Sequence, residues 1–255
     1  MKVIWVIAYN TFREIIRDRI LYGIIVFALL LMAVSVVLGQ LSFAEQARIS
    51  ANFGFTGIHL SCVVLAIFVG STLVAKEIEK KTIMTLLARP ITRIQFLIGK
   101  SFGLSLVIAT VSLGLALVLL VVFLGLGVEL NYLFLVGLHG IFLESMVLMG
   151  FALLFSSFTR PVMVVSFSAG LFFIGHWMGD LEFFSQKSQS ASFILFAKTI
   201  RGVLPNLERF NWRALGIYNE PIGLGEVSLA TLNAILWFAL LIMLTGLIFR
   251  RKDFG

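Results

Sequence analysis

Glu144 is the only acidic residue set deep inside an apolar stretch of this chain, and an ionisable group at membrane depth is costly unless it is paired or in use. His139 lies five residues before it in the same stretch, Arg160 lies near the end of that stretch, and His59 and His176 lie in two others. Three chemistries can be written for these residues. Glu144 and His139 could relay a proton. His139, Glu144 and His176 could form an intramembrane acid–base site. His139 and His176, with Met146, Met149 and Met178, offer donors that suit copper. The plainest reading is a hydrogen bond from Glu144 within a helix bundle, and 8 Met in an apolar chain are ordinary packing. Cys62 is the only cysteine and no tight His cluster is visible, so no metal site and no catalytic residue are predicted. An acid–base site also needs its groups at one depth, and the spans read below put Glu144 and His176 at different depths.

Only membrane helices can hold such residues. Of 255 residues, 60% are apolar and 13% charged, with mean hydropathy +1.04; a soluble domain carries about twice that share of charge. Runs long enough to cross a bilayer fall at about 21–41, 55–75, 102–128, 132–155, 161–179 and 227–249, with Pro161 in the first turn of the fifth, where a helix accepts it. The predicted fold is all-α, with six spans and both termini on one side. Fourteen of the 20 basic residues lie in segments on that side, which places the termini in the cytoplasm. The net charge of +7 therefore reports topology, and no nucleic-acid partner is expected. The first apolar run is too long for a cleaved signal.

Three segments are not spans. Residues 2–18 read as an interfacial helix on the cytoplasmic leaflet, with Trp5, Ala8, Phe12, Ile15 and Ile16 on one face and Asn10, Arg13, Glu14, Arg17 and Asp18 on the other. Residues 76–100, KEIEKKTIMTLLARPITRIQFLIGK, form the longest cytoplasmic connection. Ile83, Leu86 and Leu87 make an apolar ridge at helical spacing that Arg89 and Pro90 end, and Ile94, Leu97 and Ile98 continue toward the third span. A short helix displaying such a ridge calls for a groove on a partner. Residues 180–226 lie outside; Phe193 to Leu204 is too short to cross and re-enters or rests at the interface, and LPNLERFNWR (Leu204 to Arg213) reads as an exposed turn.

NTFREIIRDRILYG (Asn10 to Gly23), the 76–100 segment, LPNLERFNW and the tail FRRKDF resemble the membrane subunits of ABC-2 type transporters, in the branch described as multicopper-enzyme maturation permeases. The resemblance covers essentially the whole chain. It implies a single transmembrane domain that pairs with a second permease copy and binds two copies of a separate ATP-binding cassette ATPase. ATP and Mg would sit on that partner, with no cofactor bound here. The elbow helix, with Phe12, Arg13, Glu14 and Arg17, and a coupling segment carrying Glu77, Glu79, Thr82, Ile83, Leu86, Leu87, Arg89, Pro90 and Arg93 would meet the ATPase. Lys81 stands where many members have Gly. The second and fifth spans would line the dimer cavity, making His59, Ser61, Ser166, Ser168, Phe172 and His176 the candidate contacts, with His139 and Glu144 as further polar positions within the membrane.

The chain has no GxxxxGK[ST] motif, so it is expected to be a transport subunit and not an enzyme, moved by its ATPase. The expected setting is the cytoplasmic inner membrane of a prokaryote, as a multi-pass protein among lipids, exporting an unidentified substrate, with room for a periplasmic accessory protein on the 180–226 segment. Two alternatives compete. An ion-coupled carrier would show inverted repeats or broken helices, which the sequence lacks. An ABC complex doing mechanical work on a periplasmic partner would look the same in sequence.

Overall fold

The computed structural model describes residues 2–40, 45–73, 92–128, 130–218 and 220–251, and these contain helices and no strand. The chain runs through α1 (Lys2–Ile16), α2 (Arg19–Gln40) and α3 (Gln46–Val64), which a π-helical turn (Leu65–Val69) carries on to Leu73. Then come α4 (Arg93–Gly125), α5 (Leu133–Ser156), α6 (Pro161–His176), α7 (Met178–Lys187), α8 (Ala191–Val203), a 3₁₀ turn (Leu207–Phe210), α9 (Arg213–Tyr218) and α10 (Leu224–Arg251). Five of these, α2, α3, α4, α5 and α10, are long and apolar enough to cross a membrane; α6 and α7 meet at a 52° bend and make a sixth crossing if counted as one. Together they describe a multi-pass membrane protein.

Burial separates the centre of the bundle from its rim. In α3 and α5, 72% of the apolar window is buried, against 22% in α2 and 33% in α10. The rim helices accordingly present Phe27, Leu30, Val37, Leu236 and Met243 outward. In lipid this costs nothing, because acyl chains are as apolar as the side chains, and helices associate through close packing instead.

The contact of α1 with α4 illustrates such packing. Gly99 and Gly103 are spaced GxxxG on α4, and α1 lies directly over them. A Cβ on Gly103 would fall 2.6 Å from the Ala8 carbonyl oxygen and 2.7 Å from Thr11 Cβ. Helix α4 starts at Arg93, nine residues before the run read from hydropathy, because Thr92 caps it. The Thr92 hydroxyl accepts from the Gln95 N–H, and the Gln95 side chain accepts from the Thr92 N–H, a reciprocal capping box.

The N-terminal helix forms as expected, but its buried stripe is rotated. Ala8, Thr11 and Ile15 are buried, while Trp5 is 57% exposed. Trp5 sets its ring against the Phe102 edge, at 5.4 Å between ring centroids, outside the narrow GxxxG groove, which admits small side chains.

The stretch Leu204 to Arg213 is not the exposed turn its composition implies. Pro205, Leu207, Phe210 and Trp212 are buried, and only Glu208 and Arg209 face outward. Gly140 of α5 makes the room: a Cβ there would collide with the Phe210 carbonyl oxygen. The aromatic content of the segment outweighs its turn-like Pro and Asn once a glycine-lined cleft is present to receive it.

Candidate functional site: a buried Arg–His–Glu–His network

Four elements bring four ionisable side chains together beneath this inserted segment. Glu144 of α5 and His59 of α3 are 1% and 2% exposed, and His59 Nε2 lies 2.9 Å from both carboxylate oxygens. Arg213, the first residue of α9, places Nη1 2.8 Å from His59 Nδ1. Its Nε donates to Asn211 Oδ1 at 2.8 Å, and Asn211 donates to Glu208 at 2.9 Å. His176, the last residue of α6, has Nε2 3.6 Å from Glu144 Oε1, while Nδ1 lies 3.1 Å from the Phe172 carbonyl oxygen. Phe172 closes the side of the site, its ring 4.6 Å from His176 and 5.8 Å from His59.

Hydrogen-bond directions follow from chemistry. A guanidinium only donates, so His59 Nδ1 accepts and its proton is on Nε2, directed at Glu144. Burial disfavours the charged form of Arg213, and the Glu144 and Glu208 carboxylates oppose that effect; an arginine remains cationic in any case. The result is a line of Arg213 cation, neutral His59 and Glu144 carboxylate in which both nitrogens of His59 are hydrogen-bonded. Removing either end leaves a buried nitrogen of His59 without its partner, a cost of about 1–3 kcal/mol.

His59, Glu144 and His176 present ligand atoms within 4.8 Å of one another, close enough to hold a cation. The surroundings of His59 argue against that use. A metal-bound imidazole donates its second N–H to an acceptor, whereas His59 faces a donor, and Arg213 adds a fixed positive charge. The donor set as arranged does not fit a metal ion.

The reading of depth needs correction. Glu144 lies 12 residues before the end of α5 and His176 lies 15 residues after the start of α6. At about 1.5 Å per residue that is about 18 and 22 Å from the turn they share, so the two side chains meet. His59 sits mid-helix because α3 begins at Gln46, well before the apolar run does.

His139 is not Glu144's partner. Its Nε2 lies 2.9 Å from the Thr231 hydroxyl, which itself donates to the Val227 carbonyl, and its ring stacks on Trp212. Of the other predicted positions, Ser61 donates to Gly57, Ser166 is exposed and bonded to Val162, and Ser168 is buried with no partner for its hydroxyl. Arg160 is exposed. Sequence reasoning missed Arg213. The signal available was the requirement of a buried Glu144 for a countercharge.

On the elbow helix, Glu14 reaches Lys100 of α4 at 3.4 Å, Phe12 is half-buried, and Arg13 and Arg17 are exposed. The Arg93 guanidinium donates to the Phe249 carbonyl of α10. Glu77, Glu79, Thr82, Ile83, Leu86, Leu87, Arg89 and Pro90 lie outside the described residues. A separate cavity of about 690 Å³ opens between the 3₁₀ turn and α10, edged by Glu208, Arg209, Glu226 and Asn233, and meets the network only at Glu208, the outer end of the Arg213–Asn211 chain.

Comparison with known proteins agrees with this architecture. The chain is 29% identical over 155 residues to a Pseudomonas aeruginosa protein described as probable ABC transporter permease protein NosY. That match takes in 59% of this chain and 56% of the relative, so the chain spans about half the length of the curated protein it matches. A family model described as ABC-2 family transporter protein matches residues 5–254, and the chain therefore belongs to the ABC-2 transporter family.

Proposed function

We propose that this chain is the permease subunit of an ABC exporter of a prokaryotic inner membrane. It pairs with a second permease copy, keeps both termini in the cytoplasm, and is driven by two copies of an ATPase that carry the ATP and Mg. The observation that carries this reading is the fastening of the segment entering α4. Helix α4 is a single rod of 33 residues, about 50 Å long. Its first turns are held by α1 over Gly99 and Gly103, by Glu14 at Lys100, and by the Arg93 contact to the end of α10. A push delivered just before Thr92 therefore moves α1, α4 and α10 together, as a rigid-body transition requires. Glu77 to Arg93 is the coupling segment in this reading, α1 is the elbow, and the substrate passes along the α3 and α6 faces of the paired subunits.

The test is co-purification. Leu86→Asp with Leu87→Asp should release the ATPase while the permease still inserts and pairs. Retention of the ATPase at wild-type stoichiometry would overturn the coupling assignment.

A further inference from the structure

Among the four groups of the network, His176 is incompletely bonded. The Phe172 carbonyl can only accept, so His176 Nδ1 carries a proton. Its Nε2 is buried and makes no hydrogen bond, yet it points at Glu144 Oε1 across 3.6 Å. In a neutral ring that nitrogen is a lone pair, and the arrangement sets two acceptors face to face in a medium that cannot solvate either. His59 cannot relieve the conflict, since its Nε2–H is given to Glu144 and its Nδ1 to Arg213.

We propose that Glu144 and His176 form a buried proton-binding site, in which one proton between Oε1 and Nε2 fastens the end of α6 to α5. With the proton bound, two acceptors become a charge-assisted pair. Without it, the two groups repel. The charged and titratable groups around His176 are few. Glu144 draws the proton and Arg213 opposes it; His59 is neutral; Cys62 is fully buried one turn along α3. On α7, Asp180 and Lys187 are exposed and Glu182 pairs with Arg201 at the surface, and Glu208 and Arg209 of the 3₁₀ turn face outward.

Occupancy has a mechanical consequence. His176 immediately precedes the 52° bend into α7, and Gly175 beside it packs on Leu207 of the inserted segment. Loss of the proton frees the end of α6 and, with it, the bend into α7 that leads to the outer segment. The site is independent of ATPase coupling, and either can fail alone.

The chain has three histidines, so ¹⁵N-histidine NMR of the full protein in lipid bilayers resolves them, with His176→Gln identifying one signal. The expected result at neutral pH is a doubly protonated His176 beside a His59 protonated on Nε2 alone. On alkalinisation His176 should lose the Nε2 proton and keep that on Nδ1. Glu144→Gln should abolish the imidazolium signal at neutral pH. A His176 that is neutral and protonated only on Nδ1 from about pH 5 to 8 overturns the proposal, as does a shift of its Nε2 signal on adding Zn²⁺, which would mark a metal site. Should Glu144→Gln fail to assemble, the wild-type titration alone decides.

Discussion

Arg213 donates to His59 Nδ1 at 2.8 Å across 154 residues of sequence, and that bond makes the outer segment part of the core. The guanidinium determines the tautomer of His59 and thereby aims its other N–H at Glu144. One arginine outside the spans thus sets the hydrogen-bond order of the membrane interior.

Removing it should therefore leave the buried Nδ1 of His59 without its donor and take one of two positive charges away from Glu144. Arg213→Met is expected to lower stability by about 1–3 kcal/mol, the cost of a buried acceptor left without its donor, read as a fall in unfolding temperature in lipid nanodiscs. Arg213→Met with Glu144→Gln should recover much of the loss. Additive effects of the two substitutions would show that the groups are not coupled.

Gly103 permits the closest approach of α1 to α4. Gly103→Ala should destabilise the protein by about 1–3 kcal/mol through overpacking and expose residues 2–16 to protease, because the atom in the way is a backbone carbonyl of α1. Transport should fall in step. Unchanged proteolysis would count against the clamp.

Gly140 plays the same part for the outer segment. Gly140→Ala meets the Phe210 carbonyl, and is expected to lift the 3₁₀ turn and pull Arg213 from His59. Limited proteolysis between residues 204 and 213 should rise several-fold, and the His59 Nε2–H tautomer should cease to dominate in ¹⁵N spectra.

His139 and Glu144 should separate in function. His139→Gln retains a donor for Thr231 and is expected to keep transport within about twofold, the small effect of a partly replaced hydrogen bond. Glu144→Ala should abolish assembly or transport. Equal losses from both would restore a relay between them.

Much of this was legible in the sequence. Apolar runs mark helices because backbone polar groups in lipid must be satisfied within a segment, and the run read at about 132–155 coincides closely with α5 (Leu133–Ser156). Pro161 marks the start of α6 because it needs no N–H partner there. Helix starts that hydropathy does not mark, the capped one at Thr92 and the polar one at Gln46, were less legible, and the shift at Gln46 is what placed His59 too far out. The turn-like look of Leu204 to Arg213 misled because composition reports exposure only when no cleft is waiting.

Sequence by itself determined the class of the protein, since 60% apolar residues in runs of bilayer length leave no other solution, and family motifs are local strings. Tertiary structure alone decided the site. His59, Glu144, His176 and Arg213 sit on four elements, and their meeting depends on helix rise, on the register at which α5 and α6 leave their shared turn, and on a glycine at position 140 that lets a distant backbone come close. Those are relations between helices, and no single segment encodes them.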